Sequence, residues 1–415
     1  MTTLQIQYTT IIIGCLYLYI LIRNQKYRLL LPCIIHTSIW VIVCLLIVLT
    51  IKGVISIYLP SDPEWSYDKI SPFILGLLLS SIVGFTIAHK QTSIPKESLK
   101  TISIDSINIF LKRYHWICYV CFFLGMLQII YLINSVGWNG IGDYRIAAVS
   151  LKRTGYGAFA QQFSGHAAIL GSFYLGILGC KHALSNVNIA VFLRDALLIA
   201  TTNIAIGGRI WILTTLLPYI VGYLWQCNVC QKKIFTKGIL KIILITILFL
   251  SVFSIFGTIR NKTESKGIEK FTYLTDGSRM SNFVLTYFPE EEFDLEYGRA
   301  EFLYKWIGSP MISKFTDFIS DDIGLSVTVY SSIPPLYFDF GFWGGIIVWG
   351  IFCFYIEYYA LKLKYTNNIL GAIIFIELCK ILFQAPVGQI FYMSTPIALW
   401  ILLIYVFNKY IFKFN

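Results

Sequence analysis

Charge is scarce in this chain. Of its 415 residues only 13% are Asp, Glu, Lys or Arg, and histidine occurs five times. Soluble domains carry about 25% charged residues, so this composition excludes an ordinary water-soluble fold. Several catalytic signatures are missing as well. No nucleotide-binding glycine loop, zinc motif, Ser-His-Asp ordering or DxD-like metal pair stands out. Residues 1–10 contain no Lys or Arg, and the first apolar run is followed by a basic loop, which argues against a cleavable signal peptide. The ten cysteines all fall in apolar runs or beside basic loops, so no disulfide framework is implied. Cys227 and Cys230 form a close pair, but two further zinc ligands are missing nearby, and they read as incidental loop cysteines.

What is present is apolar. Hydrophobic residues make up 57% of the chain and the mean hydropathy is +0.69. Runs near twenty residues recur, each long enough to cross a hydrocarbon core of about 30 Å as a helix. The expected fold is all-α and polytopic, with about eleven spans at 8–22, 29–51, 70–88, 115–133, 158–180, 189–206, 210–226, 238–258, 342–361, 368–384 and 390–411. The loops orient it. Loops 23–28, 89–114, 227–237 and 362–367 and the tail are basic, and alternation puts all of them on the cytoplasmic side. The N-terminus is then outside and the C-terminus cytoplasmic. A net charge of +11 would suit nucleic acid, but it is dispersed over these short loops and needs no such partner.

One long polar segment interrupts the pattern. Residues 259–340 hold eight Lys or Arg and thirteen Asp or Glu, and they separate a first membrane region, 1–258, from a second, 341–415. A connection of that length is usually functional. It falls on the outer face, as does loop 134–157, which keeps Arg145, Lys152 and Arg153 against the charge rule. Short external loops do contain basic residues by chance; the functional alternative is that these cations persist because they bind an anion. Residues 98–114 fit an interfacial helix leading into the fourth span, with its apolar face on lipid.

Arginine at the outer boundary is the candidate chemistry. Arg145 lies in GDYR, Arg209 in GGRIW at the start of a span, and Arg260 where the eighth span ends; Arg279 and Arg299 follow in the long segment. The guanidinium is a permanent charge with a planar fork that pairs bidentately with phosphate oxygens. The bland alternative is snorkelling to lipid headgroups, which suffices for Arg299. For Arg209, the preceding Gly207 and Gly208 permit close backbone approach to a ligand. Inside the spans, His166 either faces a polar cavity or is a hydrogen-bonded structural residue. Arg194 with Asp195, and Glu377 with Lys380, read as local neutralising pairs. Asp321-Asp322 reads as a solvated turn.

The layout resembles one family. GDYR in an outer loop, GGR opening a span, Arg directly after the next span, a long outer segment, and then Ser332, Tyr337, Asp339, Phe340, Gly341 and Gly344 leading into a span are similar to the Wzy-type oligosaccharide repeat-unit (O-antigen) polymerases of bacterial inner membranes. The resemblance implies a bundle like that of GT-C glycosyltransferases. It also implies glycosyl transfer at the periplasmic face between two oligosaccharides carried on undecaprenyl pyrophosphate. No cofactor or metal is implied, because the leaving group needs only charge stabilisation. Arg209 and Arg260 would then be catalytic, with Asp143 or His166 taking the acceptor proton and Asp276 and Glu290 as further base candidates. Arg145, Tyr144, Arg279 and Asp339 would bind substrate. Membrane lipid, a flippase and a chain-length regulator are the expected partners. A ligase acting on lipid A, a flippase and a solute transporter share parts of this layout.

Overall fold

The structure, a computed structural model, describes residues 1–23, 31–54, 66–91, 102–136, 155–185, 188–205, 209–230, 273–287, 333–364, 368–386 and 395–407. Of these, 92% are helical and none is in a strand. The helices are α1 (Thr3–Arg23), α2 (Leu31–Ile51), α3 (Ile70–Gln91), α4 (Ile104–Tyr114), α5 (Trp116–Val136), α6 (Gly155–Leu184), α7 (Ile189–Ala205), α8 (Arg209–Val229), α9 (Tyr273–Tyr287), α10 (Ile333–Lys364), α11 (Ile369–Gln384) and α12 (Thr395–Val406).

Among the described residues, six stretches are long and apolar enough to cross a membrane: Thr3–Arg23, Pro32–Ile51, Ile70–Gln91, Ile104–Tyr131, Phe163–Leu184 and Phe340–Lys362. The described residues are therefore those of a helical, membrane-spanning protein. Three others expected as spans are shorter. Helix α7 has 17 residues and α11 has 16, about 25 Å each, while α12 has only 12. The expected span 238–258 lies outside the described residues.

Two differences from the sequence reading have plain causes. The long polar segment contains a helix, α9, where a loop was the expectation. The amphipathic helix α4 does form, with Ser103 accepting a hydrogen bond from the Ser106 N–H as its N-cap. Its apolar stripe of Ile107, Phe110, Leu111 and Tyr114 is buried, and the helix packs against α6. That face is turned onto protein rather than lipid, since neighbouring side chains interlock with it more closely than acyl chains do.

The chain divides into two units: Met1–Pro95, Ile268–Lys362 and Ile381–Thr395 form the first, and Lys96–Gly267, Leu363–Lys380 and Pro396–Asn415 the second. In the first, α1, α2 and α3 pack on one another. Helix α3 meets α10 along a small-residue stripe. A Cβ placed on Gly84 would come within 2.3 Å of the Gly350 carbonyl oxygen, so the two backbones touch there. Without water to drive apolar surfaces together, such close contact is what holds membrane helices to each other. In the second unit α6 meets α8 in the same way: a Cβ on Gly222 would lie 2.1 Å from the Gly176 carbonyl oxygen.

Several polar groups inside the spans are paired with one another. In the first unit Trp349 Nε1 donates to His36 Nε2 at 3.2 Å, and His36 Nδ1 lies 3.4 Å from Ser81 Oγ. An accepting Nε2 means that the imidazole is neutral, with its proton on Nδ1. In the second unit the expected pairs are present. Lys380 Nζ lies 3.3 Å from Glu377 Oε2, and Ser172 donates to the other carboxylate oxygen at 3.1 Å.

Candidate functional site

The polar end of the first unit is built around the start of α3. The N-terminus of a helix exposes backbone N–H groups without intrahelical partners. Here the first of them are met from a distant part of the chain. The Lys69 and Ile70 N–H groups both donate to Asn282 Oδ1, at 2.9 and 3.0 Å, and Asn282 Nδ2 reaches Ser66 Oγ at 3.5 Å. One residue on, Ser71 Oγ donates to the Tyr67 carbonyl at 2.6 Å and accepts from Gln7 Nε2 at 2.7 Å. Thr3 donates to Asp68, and Lys52 lies over the Tyr8 ring at 5.5 Å from its centroid. The start of α1, the end of α2 and the start of α3 therefore share one end of this unit.

Helix α9 reaches that end through a polar face. Thr275, Ser278, Arg279 and Asn282 recur at the spacing of a buried helix stripe, and all four are buried, with Ser281 and Leu285 beside them. The helix packs against α2 and α3. Stripes of this spacing are normally apolar, so the inward face here is assembled for hydrogen bonding rather than for transfer from water.

The start of α10 is at the same end. The Phe73 ring meets Tyr337 at 6.2 Å and Phe342 at 5.3 Å between centroids, both edge-on. Between these two residues Gly341 breaks the helix with φ 69° and ψ −175°, a left-handed φ that disfavours any side chain. Phe340 and Trp343 flank the break and are exposed, Trp343 by 74%. Aromatic rings so placed match the belt found at membrane boundaries. The Tyr337-x-Asp339-Phe340-Gly341 motif thus lies at the end of the unit where α9 docks.

The opposite end of the same unit is basic and aromatic. Arg23 bonds the Tyr19 hydroxyl at 3.2 Å, and Lys362 lies 4.4 Å from the Tyr358 ring centroid. Lys90 closes α3 at that end. These contacts match cationic residues anchored over interfacial rings.

The candidate residues fall as follows. Arg279 is in α9 and is 7% exposed. Asp339 is in the first part of α10, two residues before the break. Arg209 is the first residue of α8. His166 is on α6, where Trp400 Nε1 donates to its Nδ1 at 3.0 Å. An accepting Nδ1 puts the ring proton on Nε2, so the other nitrogen offers a donor rather than a base. Asp143, Tyr144, Arg145, Arg260, Glu290, Arg299 and the Asp321-Asp322 pair lie outside the described residues. Asp276 lies on α9.

A second polar cluster sits in the other unit. Asp195 is fully buried, and it accepts from Arg194 Nε at 2.8 Å and from the Tyr174 hydroxyl at 3.1 Å. His115 Nε2 is 3.5 Å from the same carboxylate and 3.0 Å from Arg194 Nη2. The ligand atoms of His115, Cys118 and Asp195 lie within 4.8 Å of one another, close enough to hold a metal ion. The Arg194 guanidinium already bonds two of the three and supplies the positive charge that Asp195 needs. The cluster is a structural ion pair.

The chain matches no family model, no curated protein and no solved structure.

Sequence reasoning overlooks Asn282, whose role depends on a partner more than two hundred residues away. It also passes over Glu357 and His36, both fully buried on spans. Hydropathy averaging smooths over a single ionisable residue in a long apolar run.

Proposed function

We propose that this protein is a membrane glycosyltransferase that polymerises oligosaccharide repeat units carried on undecaprenyl pyrophosphate, acting at the periplasmic face of a bacterial inner membrane. The observation that carries the reading is the seating of α9. A helix from the long polar segment places Arg279 in a hydroxyl-rich layer at the end of the first unit that also holds Tyr337 and the start of the Asp339 motif. Such a layer suits a sugar chain whose lipid remains in the bilayer.

In the proposed reaction an acceptor hydroxyl on one repeat unit attacks the anomeric carbon of the donor's proximal sugar. The bond from that carbon to the pyrophosphate oxygen breaks, and its electron pair leaves with undecaprenyl pyrophosphate. Arg209 and Arg260 stabilise the charge that develops on the leaving group, since preorganised cations act where the transition state gains charge. Arg145 holds the acceptor's pyrophosphate, while Tyr144, Arg279 and Asp339 bind the glycan. Asp143 receives the hydroxyl proton. With its Nδ1 engaged by Trp400, His166 contributes a hydrogen-bond donor. A flippase delivers the units and a chain-length regulator sets their number.

The test is the glycan profile of a deletion strain. Loss of a polymerase leaves single repeat units attached to lipid A. Loss of a ligase leaves none there, and loss of a flippase strands the units on the cytoplasmic side. We expect single units, with long chains restored by the intact gene. A deletion strain that keeps its full-length chains overturns the proposal.

A further inference from the structure

We propose that Asn282 is the latch that seats α9 on the bundle, and that through this seat it positions Arg279. The geometry is specific. A helix start normally takes its cap from its own sequence, from a Ser, Thr, Asp or Asn just before the first turn. Helix α3 takes it from α9 instead, through one carboxamide oxygen that accepts from two consecutive backbone N–H groups at 2.9 and 3.0 Å. The same side chain donates to Ser66, so both ends of the amide are used. Asn282 is 1% exposed.

The latch fixes Arg279 as well. Arg279 is three residues before Asn282 on the same buried stripe, less than one helical turn away. Anchoring Asn282 to the backbone of α3 sets the rotation and height of α9, and therefore where the guanidinium sits. Ser281 also donates to the Gly277 carbonyl and Thr286 to the Asn282 carbonyl, both within α9. The Asn282 amide ties α9 to the backbone at the start of α3.

Two substitutions separate the latch from simple packing. Asn282→Asp keeps an oxygen that accepts from both N–H groups, and its negative charge suits the positive end of the α3 dipole. Asn282→Leu keeps the branched shape, in a somewhat larger side chain, and loses all three hydrogen bonds. The positioning role rests on the polymerase reading, whereas the latch itself does not, so the two are measured separately.

For the latch, a reporter cysteine replaces Ser281, which is fully buried, and its maleimide labelling is timed in nanodiscs, which are open to reagent from both faces. The ten native cysteines set the background, measured in the parent protein. We expect slow labelling with Asn282 or Asn282→Asp, and labelling faster by about tenfold or more with Asn282→Leu, because two donors lose their acceptor. Equal rates for Asn282 and Asn282→Leu, or Asp as fast as Leu, overturn the latch. If Asn282→Leu does not fold, hydrogen exchange on the unaltered chain decides. The Lys69 and Ile70 amides should exchange as slowly as those inside α3, and exchange at the rate of an uncapped helix start overturns the proposal.

For positioning, glycan length is read in cells expressing each variant. Asn282→Leu should leave short chains and Asn282→Asp should restore long ones. Full-length chains from an Asn282→Leu protein whose α9 has been released overturn the positioning role while leaving the latch intact. If the deletion strain already retains long chains, it is the polymerase reading that fails.

Discussion

A side chain acts here according to what it meets when water is far away. The boundary arginines are the sharpest case. A charge-assisted hydrogen bond contributes roughly 1.5–3 kcal/mol, so losing one that forms in the transition state should slow turnover by about ten- to over a hundredfold. Arg209→Ala and Arg260→Ala should therefore abolish long glycan chains, while the Lys variants, keeping charge but losing the fork, should leave short ones. Arg299→Ala should be mild. The measurement is glycan length at matched protein levels, and full-length chains from either Arg209→Ala or Arg260→Ala would remove the pyrophosphate clamp. Glu377 tests a different kind of charge. Its pairing with Lys380 was legible because residues three apart share a helix face. Glu377→Ala strands a lysine that is 12% exposed and should cost about 3 kcal/mol, read as a lower melting temperature in detergent. Replacing both, Glu377→Gln with Lys380→Met, should recover most of that loss. A single variant as stable as the parent would mean that the pair is not coupled.

At the scale of helices, the decisive contacts are backbone to backbone. Helices α6 and α8 approach so closely at Gly176 and Gly222 that a methyl group has no room. Gly222→Ala should destabilise the protein by about 1–3 kcal/mol through overpacking. Gly165→Ala is the control on α6, because a Cβ added there would meet nothing within 4 Å. That change should be neutral or stabilising by up to about 1 kcal/mol, since alanine is the better helix former. Thermal unfolding of the two variants side by side checks both, and equal melting temperatures would show that the seam tolerates a side chain. Part of this was readable in the sequence. Gly76, Ser80 and Gly84 recur every four residues on α3, and the stripe falls where Ile346 and Gly350 of α10 pack. Which helix would receive the stripe was not readable. Helix α9 was hidden for the opposite reason. Its buried stripe is Thr275, Ser278, Arg279 and Asn282, and a search for apolar periodicity passes over polar residues at the same spacing.

For the whole molecule, the orientation in the membrane is the property on which function hangs. The first unit is consistent with the charge rule, with Arg23, Lys90 and Lys362 at one end and the docked α9 at the other. A reporter active only outside the cytoplasm should therefore work when fused near residue 300 and fail near residue 232. The reverse pattern would put the long segment in the cytoplasm and end the polymerase reading.

Composition alone determined that this chain lives in a membrane and is helical, because a bilayer offers no hydrogen bonds and the backbone must satisfy itself. Local spacing was enough for Glu377 with Lys380, for Arg194 with Asp195, and for Arg209 at the head of its helix, since each depends on neighbours within one turn. The tertiary structure decided what covers the polar end of the first unit. Asn282 caps a helix more than two hundred residues earlier in the chain, and α4 turns its apolar face onto α6 instead of lipid. Both are choices between partners of similar chemistry: water or a distant amide for an N–H group, acyl chain or side chain for an apolar stripe. Hydropathy weighs how polar a residue is, and only packing determines which partner lies close enough to be used.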